Sequence, residues 1–170
     1  DDTITFAEVL RKAGYATGYS GKWHVYSSKK PWWAPVPKFG FTDNRFMFNR
    51  GHWKKFEDTP DGPRVAARKN GKPSYDVAGA DEESFATDWL STKVIRFIEA
   101  NKAKPFCMMV ALPDPHGPNT VRAPYDTMFG HMKITMPRTM VDPGETQPFW
   151  GKIMAKKLQE QSMQRMNHAK

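Results

Sequence analysis

The first apolar pattern in the chain predicts a short amphipathic helix over residues 5–13. Thr5 is a candidate N-cap, with Glu8 three residues further on as in a capping box. Gly14 stands where a left-handed C-cap is expected. The apolar residues recur at helical spacing along one face: Phe6, Val9, Leu10 and Ala13.

A strand, helix and strand pattern extends over the rest of the first two thirds of the chain. Residues 15–19 are predicted as a strand, and residues 82–100 as a helix with Asp81 as candidate N-cap. The apolar run at 106–112 lacks alternation, which is typical of a strand covered on both faces in a parallel sheet. The predicted helical stripe comprises Phe85, Trp89, Val94, Phe97 and Ile98.

Parallel strands joined by a helical crossover form a βαβ unit, so the predicted fold class is α/β. We expect part of a mostly parallel sheet flanked by helices, with long aromatic-rich loops at the carboxyl ends of the strands. The whole of 1–170 is interpreted as part of one domain. Residues 119–150 are predicted as loop, and 151–170 as a basic amphipathic helix that packs on the sheet.

Residues 25–80 show neither helical nor strand periodicity. Structureless segments of this length are rare in compact domains and are usually functional or disordered. Their many aromatic residues argue against disorder. We expect an ordered, substrate-side excursion that covers one end of the sheet. Its tryptophan and phenylalanine residues are Trp32, Trp33, Phe39, Phe41, Phe46, Phe48, Trp53 and Phe56.

Composition narrows the classes of partner. The net charge of +8 favours anionic ligands such as nucleic acid, anionic lipid, or sulfated and phosphorylated substrates. The charge lies in short pairs rather than one long run, which disfavours nucleic acid. No apolar run approaches the length of a membrane span. The single cysteine, Cys107, excludes an intramolecular disulfide and a cysteine-based metal cluster.

Two histidine-containing segments follow predicted strands. Ligands of open parallel sheets bind beyond the carboxyl ends of the strands, and both Lys22-Trp23-His24 and Asp114-Pro115-His116 lie there. In an extended backbone, the side chains of Lys22 and His24 point to the same side. We therefore expect Lys22, His24 and His116 to surround one anion-sized hollow.

These residue types suit an anionic ester as substrate. A lysine ammonium binds oxyanions, while a histidine accepts a proton from a nucleophile or donates one to a leaving oxygen. Each histidine taken singly is better explained as a core or surface residue, whereas Lys22, His24 and His116 taken together favour a functional site. A basic module that binds nucleic acid or acidic glycans is an alternative.

Several segments resemble the sulfatase family of the alkaline phosphatase superfamily. They are Thr5-Phe6-Ala7-Glu8-Val9-Leu10, Ala13-Gly14-Tyr15-Ala16-Thr17 and Gly21-Lys22-Trp23-His24. Phe39-Gly40-Phe41-Thr42-Asp43 resembles the family's Gly-Phe-Asp region, and Pro113-Asp114-Pro115-His116 resembles its later strand ending in Pro-His. The resemblance extends from residue 3 to about 130. The Gly-Lys-Trp-His segment is its most specific part.

The resemblance implies hydrolysis of sulfate esters by a formylglycine with the help of a calcium ion. It implies that Lys22 contacts the sulfate and the nucleophile, and that His24 contacts the formylglycine and assists release of sulfate. It implies that His116 is the general acid facing the leaving-group oxygen. His52 is predicted as a further substrate contact, although a surface histidine explains it equally well. A phosphodiesterase or phosphonate hydrolase of the same superfamily is the nearest alternative.

The chain lacks other parts of the family pattern. It has no Cys-x-Pro-x-Arg segment, Cys107 lies within a predicted strand, and Asp1-Asp2 precede a capping box rather than follow an apolar strand. We therefore expect an internal fragment of a longer sulfatase, inactive alone, that contributes no metal ligand. The calcium ligands and the formylglycine are expected outside it.

The expected partner is a sulfated small molecule or glycan, not nucleic acid or a membrane. The family resemblance implies an exported (periplasmic or extracellular) or lysosomal location.

Overall fold

The computed structural model describes residues 3–25, 28–133, 135, 148–154 and 156–157. The chain divides into two compact units, residues 1–129 and 130–170. The helices and strands named below all belong to the first unit. In chain order they are α1 (Phe6–Lys12), β1 (Ala16–Trp23), β2 (Asp43–Asn49), β3 (Phe56–Thr59), β4 (Gly62–Val65), β5 (Arg68–Lys69), β6 (Lys72–Pro73), α2 (Ala86–Asn101) and β7 (Phe106–Ala111).

A parallel sheet in the order β2-β1-β7 forms the centre of the first unit. In the register of β1, Lys22 lies opposite Phe48 of β2, and Gly21 lies opposite Ala111 of β7. The connection from β1 through α2 to β7 joins parallel neighbours, as a βαβ unit does. The α/β prediction is therefore confirmed, with the carboxyl ends of all three strands at one edge of the sheet.

Apolar clusters cover the two faces of the sheet. Met47 packs with residues of α1 and β1, whereas the adjacent Phe48 packs with residues of α2. This division follows from the alternation of side chains along a strand. The first cluster contains Ala7, Tyr19, Phe41 and Met47. The second contains Phe48, Trp53, Phe56, Val65, Ala86, Trp89 and Leu90.

The continuous burial that was expected for the last strand, β7, is observed in β1 instead. Six consecutive residues of β1 are buried, whereas Met109 and Val110 of β7 are 37% and 44% exposed. Since β7 is an edge strand of this sheet, it lacks a neighbour on one side. An apolar run alone does not distinguish a central strand from an edge strand. The prediction that residues 106–112 are covered on both faces is wrong for the described residues.

The segment at 25–80 contains more regular structure than its sequence indicated. It supplies the sheet strand β2 and two antiparallel pairs, β3-β4 and β5-β6. The strands are short, at most seven residues, and Phe46, Met47 and Phe48 pack on both sides of the sheet. Both properties remove the alternation by which strands are recognised. The expectation of an ordered excursion is confirmed, but its interpretation as loop is wrong.

Two helix boundaries test the predicted caps. Thr5 Oγ1 accepts a hydrogen bond from the Glu8 amide at 3.1 Å, so the predicted N-cap of α1 is confirmed. The helix predicted at 82–100 begins later, at Ala86. The carboxylate of Asp81 accepts from the amide of Ser84 at 2.8 Å and caps a separate turn instead. A hydrogen bond from the Ser84 hydroxyl at 2.6 Å, together with that from the Ser84 amide, holds the pKa of Asp81 below its ordinary value.

The second unit is described only in part. Residues 149–154 and 156–157 are helical, and 158–170 lie outside the described residues. The helix predicted over 151–170 is therefore described only at its start, where Ile153 and Met154 are about half exposed. Residues 119–133 form turns and irregular structure, as predicted. No helix in the described part of the chain is long and apolar enough to span a membrane.

Candidate active site

Four candidate residues lie at the carboxyl edge of the sheet. Lys22 is the second-to-last residue of β1. This strand extends through Trp23, whereas the predicted strand ended at Tyr19. His24 follows β1 directly, His52 follows β2, and His116 follows β7. Parallel strands end at the same edge, so residues distant in the chain converge there.

The backbone of β1 directs Lys22 away from the α1 side of the sheet. Tyr19 lies three residues before Lys22 and Trp23 lies one residue after it, so both point to the opposite side of the strand. Their rings pack edge to face, with centroids 5.3 Å apart. The Tyr19 hydroxyl donates to the carbonyl of Lys22 at 2.6 Å. Burial raises the pKa of Tyr19 to about 12, so this donor keeps its proton at neutral pH. The hydrogen bond fixes the backbone from which the Lys22 side chain projects.

The Lys22 ammonium contacts His52. Its Nζ lies 2.7 Å from Nδ1 of His52, and Lys22 is only 8% exposed. A protonated lysine can only donate, so Nδ1 of His52 accepts and the ring proton resides on Nε2. Burial lowers the pKa of Lys22. The contact connects β1 to the segment that follows β2.

His52 and His116 form a stacked pair. Their ring centroids are 3.5 Å apart, and their planes are inclined by 14°. Nδ1 of His116 lies 3.1 Å from the carbonyl oxygen of Gly117, which can only accept. The Nδ1 position therefore carries the proton, and Nε2 of His116 is the atom that gains or loses one. Lys22, His52 and His116 thus form a continuous group across all three strand ends.

The electrostatic environment favours neutral imidazoles and bound anions. Burial, followed by the charges of Lys22, Arg50 and His116, lowers the pKa of His24. Burial and the charge of Lys22 are the largest causes of the lowered pKa of His52. A neutral His24 is able to accept a proton near pH 7. An anion placed among these groups offsets their mutual repulsion.

A buried ion pair beside the histidines was missed in the sequence. Lys54 is 1% exposed, and its ammonium contacts a carboxylate oxygen of Asp114. The other oxygen of Asp114 accepts from the Thr87 hydroxyl at 3.0 Å. The sequence shows Lys54-Lys55 only as one of several basic pairs, which resembles an ordinary surface. The position of Asp114 in Asp-Pro-His was the one available signal, because it lies two residues before a candidate catalytic histidine.

The described residues do not fit the calcium ion or the formylglycine implied by the sulfatase resemblance. Within them, no group of three or more His, Cys, Asp or Glu residues is arranged to hold a metal. Cys107 lies opposite Thr17, at the start of β7. Its position is four residues before Ala111 at the site edge, or about 13 Å at the usual rise of a strand. Asp1 and Asp2 lie outside the described residues.

The structure brings the predicted residues to one edge of the sheet. Lys22 and His116 meet there through His52, and His24 lies close enough for its pKa to respond to both. His52, for which a substrate contact and a surface position were equally good predictions, lies between Lys22 and His116. The chemical roles of these four residues remain predictions.

Fold and site together define an α/β protein with a cationic, histidine-rich site at the carboxyl edge of a parallel sheet. The sulfatase family model matches residues 1–165, and the chain belongs to the sulfatase family. It is also 30% identical over 118 residues to an N-acetylglucosamine-6-O-sulfatase of Bacteroides thetaiotaomicron. That match includes 68% of this chain but 17% of the relative, so the chain spans a small part of the relative's length.

Proposed function

We propose that this chain supplies the sulfate-binding and proton-transfer residues of a sulfuric ester hydrolase that acts on a sulfated carbohydrate. The observation that supports this proposal best is the contact from Lys22 through His52 to His116 at the carboxyl edge of the sheet. Family membership supports sulfatase-like chemistry. The similarity to the N-acetylglucosamine-6-O-sulfatase of Bacteroides thetaiotaomicron supports a sugar sulfate as the substrate.

In this proposal, Lys22 binds an oxygen of the sulfate group. The ammonium is pre-positioned by His52 and is largely withdrawn from solvent, which strengthens its attraction for an oxyanion. A bound anion also raises the pKa values of His24 and His52, which burial and the neighbouring positive charges lower. Substrate binding and histidine protonation are therefore coupled.

His116 is the proposed general acid. As the S–O bond breaks, its Nε2 gives a proton to the departing sugar oxygen, which leaves as an alcohol. The Nδ1 contact with Gly117 fixes the ring in the orientation that leaves Nε2 available. His24, with its lowered pKa, is the proposed proton acceptor on the other side of the sulfate. The nucleophile and the calcium ligands belong, in this proposal, to residues outside 1–170.

The test uses the intact polypeptide that contains this chain. His116→Ala is expected to lower sulfate release from N-acetylglucosamine 6-sulfate about 10²–10⁴-fold, the usual contribution of a general acid. A nitrophenyl sulfate needs little protonation on leaving, so its turnover is expected to fall far less. His131→Ala replaces an exposed histidine and is the matched control. Equal losses on both esters would remove His116 from this role.

The choice between sulfur and phosphorus is tested with the same enzyme. Both ester types place anionic oxygens near Lys22, so the described site does not distinguish them by charge. A comparison of kcat/KM between matched nitrophenyl sulfate and phosphate diester substrates distinguishes the two activities. A strong preference for the phosphate diester would favour a phosphodiesterase. Export or a lysosomal location stays a prediction from the family resemblance.

A further inference from the structure

The buried ion pair of Lys54 and Asp114 joins the two segments that carry the stacked histidines. Lys54 lies two residues after His52, and Asp114 lies two residues before His116. Because the ammonium contacts the carboxylate directly, the distance between the segments is fixed at a point adjacent to the imidazole stack. The Lys54 side chain is 1% exposed and that of Asp114 is 24% exposed, so solvent competes little for this contact.

The first turn of α2 holds both members of this pair. The amide of Ala86 donates to the carbonyl of Lys54 at 2.9 Å. The hydroxyl of the next residue, Thr87, donates to Asp114 at 3.0 Å. One rigid helix end therefore contacts the segment after β2 through the backbone and the segment after β7 through a side chain.

Apart from the stack, the contacts described for His116 lie within its own loop. Its amide donates to the carbonyl of Pro113 at 3.1 Å, and its Nδ1 lies 3.1 Å from the carbonyl oxygen of Gly117. His116 is exposed, and the segment from Pro115 to Thr120 has no regular structure. These local contacts move with the loop, and an error of about 1 Å in a reacting group costs on the order of 10²-fold in rate. Positioning must therefore come from neighbouring contacts that are buried and directional.

We propose that Lys54, Asp114 and Thr87 are positioning residues that hold His116 against His52 in the geometry required for proton transfer to the leaving oxygen. This inference rests on the proposed function of His116. The three residues do not touch the reacting atoms in this scheme. They act by fixing the loop that begins at Asp114.

The main test compares Thr87→Val with Thr87→Ser in the intact enzyme. Valine keeps the shape of threonine but lacks the hydroxyl donor, whereas serine keeps it. Thr87→Val is expected to lower kcat for N-acetylglucosamine 6-sulfate by up to about 10²-fold, the cost of a misplaced reacting group. KM and turnover of nitrophenyl sulfate are expected to change little, and Thr87→Ser is expected to retain wild-type kcat.

A second variant removes the cation. Lys54→Met is expected to show the same selective loss, provided that thermal unfolding shows a folded enzyme. Lys93→Met is its matched control, because Lys93 is also buried and paired, with Asp58, but neither residue adjoins a histidine of the site. The control is expected to lower stability without changing the ratio of the two turnover rates.

The outcomes separate this inference from the proposed function. If His116→Ala shows the leaving-group dependence but folded Thr87→Val does not, the positioning role is overturned and the general acid remains. Equal losses on both esters in Thr87→Val would likewise show a merely structural residue. If His116→Ala itself shows no leaving-group dependence, both proposals fail together.

Discussion

His52 and His116 stack at 3.5 Å between ring centroids, although they belong to segments that follow different strands. Two imidazolium rings at this distance would repel each other, and the pKa of His52 is accordingly lowered by burial, Lys22 and His116. The two stacked rings therefore do not readily carry a positive charge at the same time. This coupling determines how stability and ligand binding depend on pH.

Acid is expected to destabilise the folded protein through His24 and His52. Their pKa values in the folded state lie below the ordinary 6.5, so the unfolded chain binds protons first as pH falls. The contribution of these two histidines to folding stability is fully present above their pKa in the unfolded chain. It is lost as pH falls through their lower pKa values in the folded protein. Thermal unfolding between about pH 7.5 and 5.5, which brackets the ordinary histidine pKa, measures this loss.

Two comparisons test that assignment. His52→Gln should flatten the pH dependence, whereas His131→Gln, at an exposed site, should leave it unchanged. Inorganic sulfate at constant ionic strength should reduce the loss, because a bound anion raises both pKa values. If the pH dependence of thermal unfolding is the same in His52→Gln as in the wild type, His52 does not contribute to the destabilisation by acid.

Replacing Lys22 by methionine is expected to weaken anion binding. Methionine fills a similar volume but removes the ammonium, and a hydrogen bond to a charged group contributes about 1.5–3 kcal/mol, or roughly 10–100-fold in affinity. The inhibition constant of inorganic sulfate in the intact enzyme measures the change. Lys102→Met is the control, since Lys102 is exposed and pairs with Glu99 at the far end of α2. Equal effects of the two variants would indicate a general charge effect.

Tyr19→Phe is expected to destabilise the backbone that carries Lys22. The variant loses the hydrogen bond to the Lys22 carbonyl, at a cost of about 0.5–1.5 kcal/mol. Because burial raises the pKa of Tyr19 to about 12, its stabilising effect is present below the unfolded value of 10 and is lost as pH rises through 12. Denaturation at neutral and alkaline pH checks both effects. Tyr15→Phe, at a residue 37% exposed, should have little effect.

Gly21→Ala is expected to disturb the pairing of β1 with β7. Gly21 has φ +113°, and a Cβ there would lie 2.1 Å from the carbonyl oxygen of Ala111. The backbone strain costs about 1–3 kcal/mol, and the forced displacement costs a further ~1–3 kcal/mol. The free energy of unfolding, measured with denaturant, gives the total.

Gly62→Ala isolates the first of these contributions, the backbone strain. Gly62 has φ +110°, but nothing lies within 4 Å of its ideal Cβ position. It should therefore show the strain alone. If both variants lose the same stability, the close approach of Gly21 to Ala111 has no energetic consequence.

Local sequence patterns were sufficient for some elements of this protein. The alternation of side chains along an extended backbone was sufficient to predict that Lys22 and His24 point to one side, since side-chain direction in a strand depends only on position. The cap at Thr5 and the apolar run at 106–112 were equally local signals. Parallel pairing then placed two histidine segments at one edge, because parallel strands share their carboxyl ends.

Other features depend on contacts between distant residues. β2 was hidden because Met47 and Phe48 are buried on opposite faces, which removes the periodicity of a half-exposed strand. The burial of Lys54 was equally hidden, since a buried lysine requires a partner and Asp114 lies far away in the chain.

The sequence by itself determined the α/β class, the strand that presents Lys22, and the sulfatase resemblance, because these depend on short-range order and residue identity. Only the tertiary structure decided that His52 lies between Lys22 and His116, and that Lys54 pairs with Asp114. The physical reason is that a side chain's partner is set by the pairing of whole strands. Such pairing joins residues without regard to their separation in the chain.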